Sequence, residues 1–315
     1  MNRTQLATFW ERYGTFCILV LIIAVFSALS PAYFFRPENI LQIGVQSAIT
    51  VLTALGEFFA ILIAGIDLSV GSILAITGIV TAKLMVAGLH PVLAVLGGGV
   101  LMGMVLGAIN GALVNFTGLH PFIITLGTNA IFRGLTFIIS GANPVFGFPY
   151  EFVLALTGNV GFVPAPVLLA LCLAVVLWFV TTKTRLGRNI YAMGGNREAA
   201  YFSGIDIKLH TLVVFIISGF CSGLAGVLST ARTGAAEPLA GQNFETFAIA
   251  SAIIGGTSFF GGRGRIPSVV VGGLIIGTIS NGLNMLHIQT FYQLVVMGSL
   301  IIAAVSIDRL VGQGR

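Results

Sequence analysis

Ten apolar windows, each close to the length that crosses a bilayer, follow one another along this chain and leave little room for anything else. Their approximate limits are 14–34, 42–64, 70–88, 92–115, 121–140, 163–182, 211–230, 245–261, 267–285 and 291–308. A bilayer core of about 30 Å takes about 20 apolar residues per helix, so the windows use up most of the sequence. The predicted fold class is all-α, a polytopic transmembrane helical bundle of about ten spans that occupies 1–315 as a single domain. The eighth window contains Gly255-Gly256 and ends in Gly261-Gly262, the signature of a broken or re-entrant element. Apolar residues fill 57% of the 315 positions and charged residues only 8%. Such a balance cannot clothe a water-soluble globule.

The first apolar stretch, 16–29, has no small-x-small cleavage site and runs into Tyr33-Phe34-Phe35, so it reads as a retained span with its N-terminus in the cytoplasm. Ten crossings then place both termini inside. The inside set holds Arg3, Arg12, Lys183, Arg185, Arg188, Arg197, Lys208, Arg263, Arg265, Arg309 and Arg315, against only Arg36 and Arg232 outside. Cytoplasmic loops favour Lys and Arg, so this asymmetry supports that orientation. The net charge of +5 therefore reads as topology and not as affinity for nucleic acid. Merging two neighbouring spans would preserve the same inside loops, which leaves the count open between eight and ten.

Several chemistries find no residues. Cys17, Cys172 and Cys221 lie apart in apolar stretches, and His90, His120, His210 and His287 sit singly at span ends, so neither a disulfide framework nor a metal or catalytic cluster is expected. No Gly-x-x-x-x-Gly-Lys-Ser/Thr loop is present, and the Gly-rich run 261–265 reads as a turn at a membrane boundary. The chain is expected to bind no cofactor and to perform no enzymatic step. Glycines at 97–99, 103, 107 and 111, and at 272, 273 and 277, recur at helical spacing and predict close helix packing. Ala108-Ile109-Asn110-Gly111-Ala112-Leu113 is similar to Ile279-Ser280-Asn281-Gly282-Leu283-Asn284, which fits either a duplicated half or chance in a Gly-rich chain.

Charges inside the windows need a reason, because one at the bilayer centre costs about 2.5–3.5 kcal/mol on insertion scales. Asp67 precedes Leu68-Ser69-Val70-Gly71 and is placed to cap the third span. Arg133 is a candidate partner for Asp67 or Glu57, and either acid is a candidate proton carrier. Gln46, Asn110, Asn129, Asn281 and Asn284, with Phe122 and Phe132, suit a pathway lined by uncharged polar groups and aromatics. Each serves equally as an interhelical contact. The largest inside loop, 183–210, centres on Asn196-Arg197-Glu198-Ala199-Ala200 closed by Gly204, which predicts a capped helix of about two turns. Such a helix suits contact with a soluble partner, or a loop held near anionic lipid.

Glu198-Ala199-Ala200 with Gly204 resembles the Glu-Ala-Ala loop of permease subunits in ATP-binding-cassette importers, and the preceding Arg185-Leu186-Gly187-Arg188 and Gly194-Gly195-Asn196 resemble the ribose-permease branch. Ala64-Gly65-Ile66-Asp67-Leu68-Ser69-Val70-Gly71-Ser72 is similar to that branch's Gly-Gly-Ile-Asp-Leu-Ser-Val-Gly-Ser, with Ala64 in place of the first Gly. The blocks 121–128 with Arg133-Gly134, and 255–258 with 261–266, agree as well. The resemblance implies that 183–210 carries a coupling helix: Arg197 and Glu198 as polar contacts to the ATPase, Ala199 and Ala200 allowing close approach, Gly204 ending the helix. It further implies a bacterial inner-membrane sugar importer of the ribose or allose type. Its partners would be a second copy or a related permease, a cytoplasmic ATPase carrying ATP and Mg, and a periplasmic sugar-binding protein docking on 141–161. A proton-coupled transporter using Glu57 or Asp67 is the competing expectation.

Overall fold

The computed structural model describes residues 3–312. Arg315, one of the basic residues assigned to the inside, lies outside the described residues. The helices run α1 (Arg3–Leu29), α2 (Pro37–Leu62), α3 (Val70–Val86), α4 (Pro91–Ala94), α5 (Met102–Thr117), α6 (Pro121–Ser140), α7 (Tyr150–Thr157), α8 (Ala165–Lys183), α9 (Arg185–Gly195), α10 (Arg197–Phe202), α11 (Ile207–Thr233), α12 (Phe244–Ile254), α13 (Ile266–Met285) and α14 (Thr290–Gly312). A π-helical segment, Val95–Leu101, joins α4 to α5 in one rod, Pro91–Thr117. The sheet in the described residues is a small hairpin of β1 (Asn159–Val160) and β2 (Val163–Pro164), paired Asn159 to Pro164 and Val160 to Val163. The chain is a helical membrane bundle, as expected.

Among the described residues, six helices are long and apolar enough to cross a membrane: α2, the Pro91–Thr117 rod, α6, α8, α11 and α13. Shorter apolar helices cover Gly14–Leu29, Val70–Val86, Phe244–Ile254 and Phe291–Ala303. The eighth window is cut short. Its helix, α12, stops at Ile254 after 11 residues, about 16 Å at 1.5 Å per residue, half of a bilayer core. Gly255, Gly256, Gly261 and Gly262 then carry the chain through turns, three of them at positive φ.

Burial ranks these helices in a way their sequences do not. In α2, 89% of the apolar window is buried, against 28% in the more apolar α8. Packed against α2 are α11, α12 and α13, while α8 and α6 present most of their surface outward. The tightest seam joins α5 to α11. An added Cβ on Gly103 would strike the Gly219 carbonyl, and one on Gly107 the Phe215 carbonyl. On the opposite helix, Gly219 and Gly223 meet the backbones of Gly103 and Gly99 in the same manner. Two helices stripped to glycine along one face bring their backbones into contact, which replaces the hydrophobic driving force that lipid cannot supply.

The exit from α2 departs from the usual chemistry of a helix end. Gly65 N–H donates to Ala60 O at 2.9 Å and Ala64 N–H to Ile61 O at 2.9 Å, the bond pair of a Schellman motif. The motif needs a left-handed residue, and Ala64 takes that conformation at φ 57°. This is the position at which the resembling permeases carry glycine.

Candidate functional site

Two constellations emerge, one buried among α2, α3, α5, α6 and α11, the other on the face formed by α9 and α10. The buried one begins where α2 ends. Between Leu62 and Val70 the chain turns back and runs without helix into α3, which leaves polar backbone groups inside the bundle that demand partners. Asp67 Oδ1 accepts from Ser69 N–H at 3.0 Å and from Ser69 Oγ at 2.6 Å, and Asp67 Oδ2 accepts from Ser218 Oγ of α11 at 2.7 Å. Thr125 Oγ1 of α6 donates to Ile66 O at 3.0 Å and accepts from Leu68 N–H at 3.1 Å. Asn110 Nδ2 donates to Ser69 Oγ at 2.7 Å.

Glu57 completes the ring. Its Oε1 accepts from Asp67 N–H at 3.1 Å, and its fully buried Oε2 has no hydrogen-bond partner among the described residues. Ser218 is the twelfth of the 27 residues of α11, so the junction lies near that helix's middle. Asp67 serves the turn that precedes α3, two residues before the N-cap, which Ser69 occupies in place of the cap expected at Asp67. The acid's burial cost is offset by three donors, each bond to a charged group contributing about 1.5–3 kcal/mol.

Arg133 does not pair with Asp67 or Glu57. Its Nη1 donates to Pro238 O at 2.7 Å and to Ala240 O at 2.8 Å, which anchors the stretch between α11 and α12 against α6. That stretch descends onto the start of α3, where the Gly241 carbonyl and the Glu245 carboxylate fill the space beside Gly71. The guanidinium meets carbonyls because the chain between Gly234 and Asn243 is non-helical and offers them.

The polar and aromatic pathway candidates divide by exposure. Asn110 and Asn281 are buried, Asn281 Nδ2 donating to Asn39 Oδ1 at 3.0 Å, and Phe132 packs with Ile73, Ile76 and Leu106. Asn284 is exposed and accepts from Gln293 Nε2 at 2.7 Å. Gln46 and Asn129 are half-buried, and Phe122 is exposed.

The second constellation is built from the sequence 183–210. Asn196 is at once the C-cap of α9, its N–H donating to Ala192 O at 3.0 Å, and the N-cap of α10, its Oδ1 accepting from Ala199 N–H at 2.9 Å. One residue thus makes a rigid corner. At the far end Gly204, φ 82°, closes α10 through Ile205 N–H to Ala200 O at 3.1 Å and Gly204 N–H to Tyr201 O at 3.0 Å. Ala200 is buried against the bundle, while Arg197, Glu198 and Ala199 are exposed. Tyr201 and Phe202 are exposed by 65% and 78% and flank an open groove of about 910 Å³ lined by α10 and the entry to α11. Two aromatic rings thus stand bare on a polar helix.

Sequence reasoning did not single out Tyr201 and Phe202, although two adjacent aromatics in a charged loop are a readable signal. It also missed Tyr191. Its Oη donates to Gly264 O at 2.8 Å, and burial raises its phenol above the usual range, opposed by Arg265. Ser218 carried no signal at all, being a lone hydroxyl in an apolar span.

A multi-pass helical membrane protein with a mid-depth helix break and an outward-facing capped helix is the class these features define. The chain belongs to the family described as the branched-chain amino acid transport system permease component, which matches residues 39–305. It is 68% identical to the D-allose transport system permease protein AlsC of Escherichia coli strain K12 over 98% of this chain and 94% of that protein. It is 43% identical to the ribose import permease protein RbsC of Bacillus subtilis strain 168, covering 95% and 93% of the two chains. With the RbsC of Haemophilus influenzae it shares 39% identity over 98% and 96%. No solved structure matches the chain.

Proposed function

We propose that this chain is the membrane permease subunit of a bacterial ATP-driven sugar importer, with D-allose as the first candidate substrate and ribose as the second. The observation that carries this reading is α10, a short helix fixed at both ends that exposes Arg197, Glu198, Tyr201 and Phe202 to a partner. The similarity to permeases named for D-allose and ribose transport supports the substrate class. In this reading the bundle has ten crossings with both termini in the cytoplasm of a cell whose inner membrane holds it. An ATPase subunit carrying ATP and Mg seats α10 in its surface. Two copies, or this chain and a related permease, enclose the pathway, and Gln46, Phe122, Asn129 and Asn284 are the candidates that keep a face free for it. A periplasmic sugar-binding protein docks on 141–161, where Phe146 and Tyr150 are exposed.

The test is uptake of labelled D-allose into proteoliposomes containing the chain, its ATPase and its binding protein. Uptake should require ATP and ignore a protonophore. A second reading, proton-coupled transport, draws on the unpartnered Oε2 of Glu57 beside Asp67. Uptake that persists without ATP and collapses with the protonophore would establish it in place of the first.

A further inference from the structure

The end of α9 is threaded between the two interruptions in the bundle. Gly194 packs directly against the carbonyl of Leu62, the last residue of α2, with no room for a side chain. Gly262 N–H donates to that same Leu62 O at 2.9 Å. A Cβ on Gly262 would lie 2.8 Å from Gly195 Cα, and one on Gly261 would lie 2.9 Å from Ala64 N and 3.0 Å from Gly194 O. Three backbones, from the end of α2, the end of α9 and the turn after α12, therefore meet with no side chain between them. Tyr191 ties the same turn a second time through its hydrogen bond to Gly264 O.

On the other side of this knot sits the corner at Asn196, which caps both α9 and α10 so that no linker separates the two helices. On its inner side lie the two non-helical stretches: 63–69, which holds Asp67, and 255–265, which follows α12. A displacement of α10 passes through the α9 corner and the glycine contacts with little slack. The first compliant backbone it meets is in those interruptions. Loop and element-terminal residues of this kind absorb the dihedral changes of hinge motions.

We infer that Tyr191 and Gly194 are positioning residues that carry the motion of α10 into the two helix interruptions, and so set how much sugar moves per ATP hydrolysed. The inference rests on the reading of α10 as the ATPase-docking helix. Its test uses the full complex in proteoliposomes, measuring D-allose uptake and ATP hydrolysis together. Tyr191→Phe removes one hydrogen bond and leaves the ring, so sugar transported per ATP should fall roughly two- to tenfold with assembly and hydrolysis retained. In a background lacking Cys17, Cys172 and Cys221, Phe260→Cys places a label site on the exposed part of the 255–265 turn. Its maleimide labelling rate should change when the complex is trapped with ATP and vanadate, and Tyr191→Phe should abolish that change. An unaltered transport-to-hydrolysis ratio, or a joint loss of assembly, hydrolysis and uptake, would overturn the inference. ATP-independent uptake by the unsubstituted complex would overturn instead the reading on which it rests.

Discussion

Replacing Gly107 by Ala tests whether the α5–α11 seam holds the bundle together. The new methyl would fall on the Phe215 carbonyl oxygen, 2.9 Å from Phe215 C and 3.1 Å from Gly219 Cα, where ordinary contact begins at 3.4 Å. None of those atoms belongs to a flexible side chain, so the helices must separate, and the remaining glycine contacts along Gly99, Gly103, Gly219 and Gly223 loosen with them. Forced overpacking of this kind costs about 1–3 kcal/mol. The control is Gly127→Ala in α6, where an added methyl meets nothing within 4 Å and should change stability by less than about 0.5 kcal/mol. Unfolding in mixed detergent micelles, followed by loss of helical circular dichroism, reads both. The double variant Gly107→Ala with Gly219→Ala should cost less than the sum, since a Cβ on Gly219 would meet Gly107 Cα at 2.9 Å and one separation relieves both. Equal stabilities for the Gly107 and Gly127 variants would refute the account of the seam.

Three further outcomes follow from single residues. Ala64→Gly should stabilise the protein by up to about 1 kcal/mol in the same assay, because the left-handed residue is exposed and gives up only a methyl beside the Gly261 turn; a destabilised variant would count against strain there. Ser218→Ala removes a buried donor from Asp67 Oδ2 and should cost about 1.5–3 kcal/mol, whereas an unchanged unfolding midpoint would mean that Asp67 does not rely on it. Gly204→Ala strains the end of α10 by about 1–2 kcal/mol and, combined with Glu198→Ala, should lower D-allose uptake while membrane insertion persists. Full uptake with unchanged ATPase association in that pair would argue decisively against a coupling helix.

Much of this architecture was legible in the sequence. Each of the ten apolar windows holds a helix, the eighth only as far as Ile254, because in lipid an apolar run satisfies its backbone most simply as a helix. The glycine spacing at 103, 107 and 111 announced a packed face, and Asn196 and Gly204 marked both ends of α10, since capping depends on local chemistry alone. Within the similar stretches 108–113 and 279–284, Asn110 and Asn281 are both buried and both donate from Nδ2 to a neighbouring helix or its entry segment. Arg133 was misread because its partners are backbone carbonyls of a non-helical stretch, and no side-chain inventory can point to those. The exposed Tyr201 and Phe202 were visible as letters but not as a surface.

By itself, then, the sequence determined that this chain lives in a bilayer as a helical bundle, where α10 is capped, and which permeases it resembles. Each of these follows from hydropathy, local capping or motif, all properties of neighbouring residues. Only the tertiary structure decided that α2 is enclosed while α8 faces outward, that Asp67 is answered by Ser218 across 151 positions, and that the end of α9 lies against the ends of α2 and α12. The physical reason is that lipid and protein interior are equally apolar. Hydropathy therefore commits a helix to the membrane without choosing its neighbours, and that choice falls to glycine contacts and to buried polar groups seeking partners from distant parts of the chain.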